Sequence, residues 1–212
     1  SARRIRNASR RLATREPITD FDASVRSGRL SLEDFRARKY VFLSSGDVYP
    51  RQETPDVTHE DQPLPVSGMS GYGFHKFIAE SMVRQLHPDW IVMRMGGFVG
   101  PGLKKNAIFD MLNDMPVWLK PETELQFIST DTAARLVWRL VERGVGNETV
   151  NLGALGRCHI GAVHKRLKSG SPFQPEARAV TYELDLTKLA RLAGDLPSAN
   201  DEISAFLTSL GR

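Results

Sequence analysis

Three side chains of this sequence could together move a proton: Ser45, Tyr72 and Lys76. Tyr72 and Lys76 are four residues apart in a segment with helical periodicity, so their side chains share one face of the predicted helix. An isolated tyrosine has a pKa of about 10, and a neighbouring ammonium favours its ionised form. Moving that pKa to neutrality takes roughly 4 kcal/mol, more than one lysine supplies. A second positive charge is therefore expected, and an oxidised nicotinamide ring would be one.

Ser45 stands at the end of the preceding apolar run, where its hydroxyl could hold a substrate hydroxyl or carbonyl beside the phenol. The three groups would then pass a proton while a hydride moves to or from a cofactor. Taken alone, a Tyr-x-x-x-Lys pair is a weak motif, and an amphipathic tyrosine with a solvated lysine is the better explanation of the isolated pair. The order of the surrounding segments strengthens the catalytic interpretation.

Strands alternate with helices along the part of the chain that carries these residues. The β-rich run at 39–43 predicts a buried parallel strand, and residues 50–71, with four prolines, predict a loop. Apolar residues at spacings of three and four predict a helix over 72–86, which His87-Pro88 stops. A second buried strand is predicted at 90–93, followed by a glycine-rich stretch that begins at Arg94.

The remaining elements continue the same alternation. We expect a helix over 105–114, a helix capped by Ser129 or Thr130 and ended by Gly144, and a strand at 149–152. Weaker helical patterns lie near 3–14, 31–37, 159–168, 186–193 and 199–209. This order predicts an α/β fold, a Rossmann-like doubly wound parallel sheet that is incomplete at its N-terminal side. The expected units are an atypical segment 1–38, a catalytic core 39–153 with a substrate-lobe segment near 97–125, and a C-terminal substrate lobe 154–212.

Composition narrows the partners and the compartment. No apolar run is long enough to span a membrane, and the single cysteine, Cys158, cannot form an internal disulfide, which fits a cytoplasmic location. The net charge of +4 owes much to six arginines within the first sixteen residues. Because no aromatic residue interrupts that run, we interpret it as a solvated helix and expect no nucleic-acid partner.

Seven ordered segments resemble one known family, the extended short-chain dehydrogenases/reductases of the NAD-dependent epimerase/dehydratase type. They are Tyr40–Tyr49, Glu60–Pro65, Tyr72–Lys76 with Glu80, Arg94–Gly102, Phe127–Asp131, Val150–Gly153 and Leu184–Leu189 with Pro197. The likeness spans residues 39–212. It implies an oxidoreductase, epimerase or dehydratase that uses NAD or NADP on a hydroxyl or carbonyl carbon of a sugar-like small molecule.

The resemblance also implies roles for individual residues. Ser45 would orient the substrate, Tyr72 would be the acid/base, and Lys76 would bind the nicotinamide ribose and tune Tyr72. Further cofactor contacts are implied at Ser44 and Met95. The further substrate-binding positions implied are Gly46, Gly97 and Phe98. A homodimer through the 72–86 helix is expected, because extended members commonly pair through it.

The sequence departs from the family pattern in its nucleotide-binding segment. No Gly-x-x-Gly-x-x-Gly run, which would bring backbone close to a pyrophosphate at a helix N-terminus, precedes residue 39. Three explanations stay open: the chain is a fragment, its partner supplies the nucleotide half, or it is a degenerate member. A non-catalytic binding or regulatory protein on the same scaffold is therefore the alternative function.

Two substrate positions and several other residues complete the sequence-based expectations. Gly97 stands where the family often has asparagine, and Glu124-Leu125-Gln126 replaces an expected arginine, which favours a smaller or less anionic substrate. No metal site is expected at His159 and His164, because they are five apart and have no close carboxylate partner. His75 is interpreted as an exposed helix residue, Cys158 as a core or surface thiol. The three tryptophans, Trp90, Trp118 and Trp138, are interpreted as packing residues.

Overall fold

A parallel three-stranded sheet forms the centre of the molecule. The computed structural model describes residues 17–211, so the arginine-rich segment and the helix predicted near 3–14 lie outside the described residues. The sheet has the order β1 (Tyr40–Leu43), β2 (Trp90–Met95), β7 (Glu148–Leu152), with Val41 opposite Ile91 and Met93 opposite Val150. The α/β architecture with a parallel sheet confirms the predicted fold class.

Two long helices begin and end where the sequence indicates. Helix α3 (Gly71–Leu86) starts after Ser70, whose side chain accepts a hydrogen bond from the Gly73 amide, and ends before His87-Pro88. Helix α5 (Thr130–Glu142) starts after Ser129, whose hydroxyl accepts from the Thr132 amide. Such caps satisfy amide groups that the first turn of a helix leaves unpaired.

The N-terminal described segment is helical and packs against α3. It comprises α1 (Pro17–Phe21), a π-helical turn at Asp22–Arg26 and α2 (Ser27–Asp34). The helix predicted near 31–37 is thus wrongly placed: α2 begins earlier and ends at Asp34, because Phe35 adopts an extended backbone. Ser27 and Ser31 both direct their hydroxyls to carbonyls of the preceding turn.

Short strands outside the main sheet were not predicted. Strand β3 (Gly97–Val99) pairs in parallel with β6 (Phe127–Ser129), and β4 (Val117–Leu119) pairs with β9 (Phe173–Arg178). Strand β5 (Glu124–Leu125) lies between β10 (Thr181–Tyr182) and β8 (Cys158–His159). Most of these segments have only two or three residues, and the longest, β9, is largely polar, so none forms the apolar run that indicates a buried strand.

Four further helices enclose the core. They are α4 (Ala107–Leu112), α6 (Ile160–Leu167), α7 (Thr187–Ala193) and α8 (Ala199–Ser209), each within a few residues of its predicted range. Their apolar faces join the sheet residues Ile91, Met93 and Val150 in one buried cluster. Within residues 17–211, no helix is both long and apolar enough to cross a membrane.

Candidate active site

Strand β1 delivers Ser45 to the carboxyl end of the main sheet. The chain leaves β1 through Ser44 and Ser45 and enters a 3-10 turn at Gly46–Val48, with Ser45 as the residue that caps it. The Ser45 hydroxyl oxygen accepts a hydrogen bond of 3.2 Å from the Asp47 amide. This contact orients the oxygen and leaves the hydroxyl hydrogen able to donate to a substrate oxygen.

The first turn of α3 lies directly on this 3-10 turn. A Cβ atom added at Gly73 would be 2.0 Å from the Asp47 carbonyl oxygen, so only glycine allows so close an approach. Tyr72, the residue before Gly73, is thereby held near the segment that carries Ser45. The first glycine of the helix, Gly71, has open space around it, so the close contact is specific to Gly73.

Lys76 connects the tyrosine to the end of β1. Its ammonium donates a 3.0 Å hydrogen bond to the Leu43 carbonyl, two residues before Ser45. The same ammonium is 5.9 Å from the Tyr72 ring centroid and 5.2 Å from the Phe42 ring centroid. The structure therefore brings the segments of Ser45, Tyr72 and Lys76 together at one end of the sheet, with a cation beside the phenol ring.

A second tyrosine, Tyr182 of β10, reaches the site from the C-terminal part of the chain. A Cβ atom at Gly46 would lie 1.9 Å from the Tyr182 hydroxyl, which also contacts the Met95 carbonyl at 3.5 Å. Burial raises the pKa of Tyr182, and the nearby Asp47 and Tyr72 add to the rise. Tyr182 therefore stays protonated, and it was missed in the sequence because nothing near it indicates where its hydroxyl lies.

Asp47 is an acidic residue close to Ser45 and Tyr182. Burial raises the pKa of Asp47, while a hydrogen bond from Gln52 and the charge of Lys105 act in the opposite direction. The Gln52 amide also donates to the carbonyls of Gly46 and Tyr49, at 3.1 Å each. The Gln52 side chain thus holds the 3-10 turn through hydrogen bonds to three residues in or directly after it.

The end of β2 supplies Met95 and the glycine-rich turn. Met95 pairs with Leu152 within the sheet, so the strand runs two residues beyond the predicted 90–93 and includes Arg94. A Cβ atom at Gly97 would be 2.9 Å from the Gln126 carbonyl and from the Phe127 ring. The asparagine expected by resemblance would not fit there without movement of β6.

Phe98 and the loop after it are fixed by an unusual asparagine. Phe98 pairs with Ile128, and its carbonyl accepts a 2.9 Å hydrogen bond from the Asn106 side chain. Asn106 has a φ of 109° and accepts from the amides of Ile108 and Phe109 to begin α4. This left-handed backbone is uncommon for a residue with a Cβ atom, and three side-chain hydrogen bonds hold it.

Behind the site, a buried polar cluster links β1, α3 and β2. Glu80, which is 0% exposed, accepts from the Ser44 hydroxyl at 2.6 Å and from two nitrogens of Arg94 at 3.1 and 2.9 Å. Arg84 donates to the same carboxylate. Burial lowers the pKa of Arg94, but the hydrogen bonds and charge of Glu80 outweigh burial and the pKa rises. A cofactor contact at Ser44 would therefore involve its backbone, since its hydroxyl hydrogen is engaged.

The cluster continues through Tyr49 to the strand β7. The Tyr49 hydroxyl accepts from Arg94 at 3.0 Å and donates to Asn151 at 2.9 Å, and burial raises the pKa of Tyr49 to about 12. The Asn151 amide donates to the carbonyls of Thr58 and Asp185. The proline-rich loop, the main sheet and the C-terminal segment therefore meet at one side chain.

Other residues singled out in the sequence lie away from this site. His159 pairs with Glu124 at 3.0 Å, so the expectation that it has no carboxylate partner is wrong. Among residues 17–211 no group of three His, Cys, Asp or Glu side chains could hold a metal ion. His164 instead contacts the Ser171 carbonyl at 2.9 Å, and its ring lies 4.8 Å from the Phe173 ring.

Three interpretations of single residues need correction or refinement. Trp118 and Trp138 are 43% and 62% exposed, so their assignment as packing residues is wrong. His75 is half-buried rather than exposed, with its ring 5.7 Å from that of Phe21 and its Nδ1 atom buried without a hydrogen bond. Cys158 is a core thiol, and burial raises its pKa to about 11, which makes it a poor nucleophile.

The site fits one end of a dinucleotide cofactor. An ammonium and a phenol at the carboxyl end of a parallel strand can bind the hydroxyl groups of a nicotinamide ribose, and ligands of such sheets bind at that edge. The 212 residues contain no Gly-x-x-Gly-x-x-Gly run for the pyrophosphate. Lys76 and Tyr72 would thus fit the nicotinamide end of the cofactor.

Fold and site together define a Rossmann-like α/β protein with a serine, a tyrosine and a lysine at the end of one strand. The profile of the NAD dependent epimerase/dehydratase family matches residues 28–153, and the chain belongs to this family. A search of curated proteins finds no match.

Solved structures share the fold. A UDP-galactose 4-epimerase superimposes with a TM-score of 0.75 at 22% identity, covering 95% of this chain and 73% of that chain. UDP-glucuronic acid 4-epimerase from Bacillus cereus, in complex with UDP-glucuronic acid and NAD, gives 0.69 at 19% identity, with 89% and 67% covered. RMD from Pseudomonas aeruginosa, complexed with NADPH, gives 0.69 at 20% identity, with 93% and 76% covered.

Proposed function

We propose that this chain supplies the catalytic groups of an NAD- or NADP-dependent epimerase, dehydratase or oxidoreductase that acts on a hydroxyl or carbonyl carbon of a sugar-like small molecule. The observation that carries the proposal is the position of the Lys76 ammonium, between the Leu43 carbonyl and the Tyr72 ring. Membership of the NAD dependent epimerase/dehydratase family supports it.

Each side chain has a defined task in this proposal. The Ser45 hydroxyl donates to the substrate oxygen, and Tyr72 accepts the proton of a substrate hydroxyl or returns one to a carbonyl. Lys76 favours the phenolate form of Tyr72 by its charge and would bind the ribose hydroxyls of the cofactor. A bound nicotinamide supplies the acceptor or donor of the hydride. Met95 would contact the cofactor, and Gly97 and Phe98 would line the substrate side through their backbone.

The substrate side favours a small, weakly anionic ligand. Gln126, in the segment where the family often has arginine, is buried and bonded to the Leu184 backbone at 3.2 and 3.4 Å, so it is engaged within the protein. The Tyr182 hydroxyl occupies the space above Gly46. Both observations support a sugar-like substrate that does not depend on a diphosphate contact at these positions.

Replacing the proposed acid/base tests the mechanism. Tyr72→Phe removes the phenol oxygen, and we expect turnover to fall by about 10³-fold while the circular dichroism spectrum and Tm stay unchanged. Tyr40→Phe is the matched control, because Tyr40 bonds Ser31 at the start of β1, away from the site. Turnover would be followed by chromatography of the product formed from candidate sugars of low charge, because an epimerase or dehydratase regenerates its nicotinamide and gives no net change in absorbance. Undiminished turnover in Tyr72→Phe would contradict the mechanism.

Cofactor titration separates the proposal from its alternative. We expect NAD(H) or NADP(H) to raise the Tm of the chain, or of the chain with a partner that supplies the nucleotide segment. Binding to the chain alone supports the complete enzyme. Binding only with the partner supports a shared active site. No binding in either case supports the non-catalytic protein on the same scaffold.

We further propose that two copies pair through α3 in a cytoplasmic homodimer. Exposed apolar side chains on α3 and the helix packed against it support this: Phe74, Phe21 and Ile18 are 36%, 38% and 61% exposed. The buried thiol of Cys158 supports a reducing compartment. Light scattering should give twice the mass of one chain. In the Phe74→Glu variant the measured mass should fall to that of a single chain. A monomer at high concentration would contradict the pairing.

A further inference from the structure

Glu80 lies on the same helix as two of the proposed catalytic residues, Tyr72 and Lys76. It follows Lys76 by four residues and Tyr72 by eight on α3, so the three side chains lie along one side of the helix. Its carboxylate is fully buried, yet it has three donor side chains around it. A buried charge persists only when it is paired and hydrogen-bonded, and Glu80 meets both conditions.

The donor nearest to the site is Ser44. Its hydroxyl lies 2.6 Å from Glu80, and an ionised carboxylate only accepts hydrogen bonds, so Ser44 is the donor. The Ser44 amide donates 2.7 Å to the Met93 carbonyl of β2. Ser44 is therefore fixed on two sides, through its backbone to the sheet and through its side chain to α3.

Ser45 follows immediately, with a φ of −142° and a ψ of 147°. Its extended backbone turns its side chain away from that of Ser44, toward the Asp47 amide. Any rotation of Ser44 would be transmitted to Ser45 through a single peptide unit, which is planar and stiff. The position of the Ser45 oxygen relative to Tyr72 thus depends on the bond between Ser44 and the helix that carries Tyr72.

We propose that Glu80 is a positioning residue that fixes the Ser45 hydroxyl relative to Tyr72 and Lys76, acting through Ser44. The two arginines serve this task by holding the Glu80 carboxylate in one orientation: Arg94 binds both of its oxygens, and Arg84 binds one. The catalytic part of this inference rests on the proposed function. The positioning of Ser45 does not, and it can be measured separately.

The amide of Asp47 reports the position of Ser45 directly, because it donates to the Ser45 oxygen. Hydrogen exchange of the Asp47, Val48 and Tyr49 amides, followed by NMR on the full chain, measures how firmly the turn is held. In Ser44→Ala we expect these amides to exchange about tenfold faster, with the amides of 78–86 unchanged. Ser44→Thr keeps the hydroxyl donor and should restore slow exchange.

Ser81→Ala is the matched control. It removes a serine hydroxyl from the residue next to Glu80, but that hydroxyl bonds the Phe77 carbonyl on the exposed side of α3. We expect exchange at Asp47 to match that of the unaltered chain. Faster exchange in Ser81→Ala would mean that any loosening of α3 reaches the turn, which would overturn the specific role of Ser44.

A double variant tests whether Glu80 acts through Ser44. Glu80→Gln keeps the size but loses the charge, and should also speed exchange at Asp47, because the amide nitrogen that replaces one oxygen cannot accept from Arg84 or Arg94, which aim the oxygen bonded by Ser44. The Ser44→Ala/Glu80→Gln pair should then exchange no faster than Glu80→Gln alone. Additive acceleration, or an unchanged Asp47 amide in folded Ser44→Ala, would overturn the proposal.

Turnover gives the second readout. If the proposed function holds, Ser44→Ala lowers kcat with little change in KM, and Ser44→Thr recovers it. Faster exchange in a chain that never turns over would leave the positioning intact and contradict the proposed function. Unchanged exchange with a reduced kcat would contradict the positioning role and leave the proposed function intact.

Discussion

Helices α3 and α5 are of similar length but are built from different buried groups. Helix α3 buries a carboxylate at mid-helix, Glu80, whereas α5 buries Leu136 and Leu140. The acidic contact of α5 comes from another helix: Glu202 accepts from the Ser129 amide at 2.6 Å, at the end where a helix favours negative charge. Helix α5 is therefore organised for apolar packing, while α3 combines packing with a buried charge.

The largest expected effect comes from Glu80→Ala. It leaves two buried or half-buried guanidinium groups without their shared anion, so we expect the free energy of unfolding to fall by about 4 kcal/mol. Urea denaturation measures it, with Ser81→Ala as the control within about 0.5 kcal/mol of the unaltered chain. A loss near that of the control would show that α3 does not depend on its buried charge.

Leu140→Ala is the corresponding change in α5. Leu140 is fully buried in the apolar cluster, and its truncation should cost about 3 kcal/mol through lost burial and a cavity. Unlike Glu80→Ala, it should leave the kcat of the folded fraction unchanged. A reduced kcat in Leu140→Ala would break the distinction between the two helices.

The two capping serines, Ser70 of α3 and Ser129 of α5, differ in their distance from the candidate site. Ser70→Ala and Ser129→Ala each remove one cap, and we expect each to cost about 1 kcal/mol in denaturation. Ser70 precedes the turn that carries Tyr72, so only Ser70→Ala should also lower turnover. Equal effects on turnover would mean that the start of α3 has no special place in the site.

Asp110 of α4 offers a half-buried carboxylate without the arginines of α3. Burial raises its pKa from 3.8 to about 6. The folded chain therefore binds the proton more tightly, and stability falls as pH rises from 3.8 to about 6, then levels off. Asp110→Asn should stabilise the chain at pH 7 by about 1 kcal/mol after solvent screening, with no gain below pH 4. A gain that persists at low pH would point to packing instead.

The main sheet and the long helices could be predicted because they follow local rules. The apolar run before Ser45, the three-and-four spacing of α3 and the caps of α5 are all properties of neighbouring residues. The prediction of Tyr72 and Lys76 as a pair on one helix face used the same rule. Resemblance added Glu80 as a matching position but no contact for it.

The features that could not be predicted depend on contacts between residues far apart in the chain. Nothing near Tyr182 indicates that its hydroxyl lies against Gly46, and nothing near Ser44 indicates that it bonds Glu80. The prediction that Trp118 and Trp138 are packing residues is wrong because the size of an apolar side chain does not determine whether another element covers it. Such contacts are set by how elements pack, which local periodicity does not encode.

The side chain of Asn151 has a consequence for how the protein is made. It bonds the Thr58 carbonyl behind it in the chain and the Asp185 carbonyl 34 residues ahead. During synthesis, the loop that contains Thr58 must wait for Asp185 to leave the ribosome before this junction can close. A nascent chain released at residue 153 would therefore retain an unfinished loop, and would be cut by proteases that a chain extending through Asp185 resists.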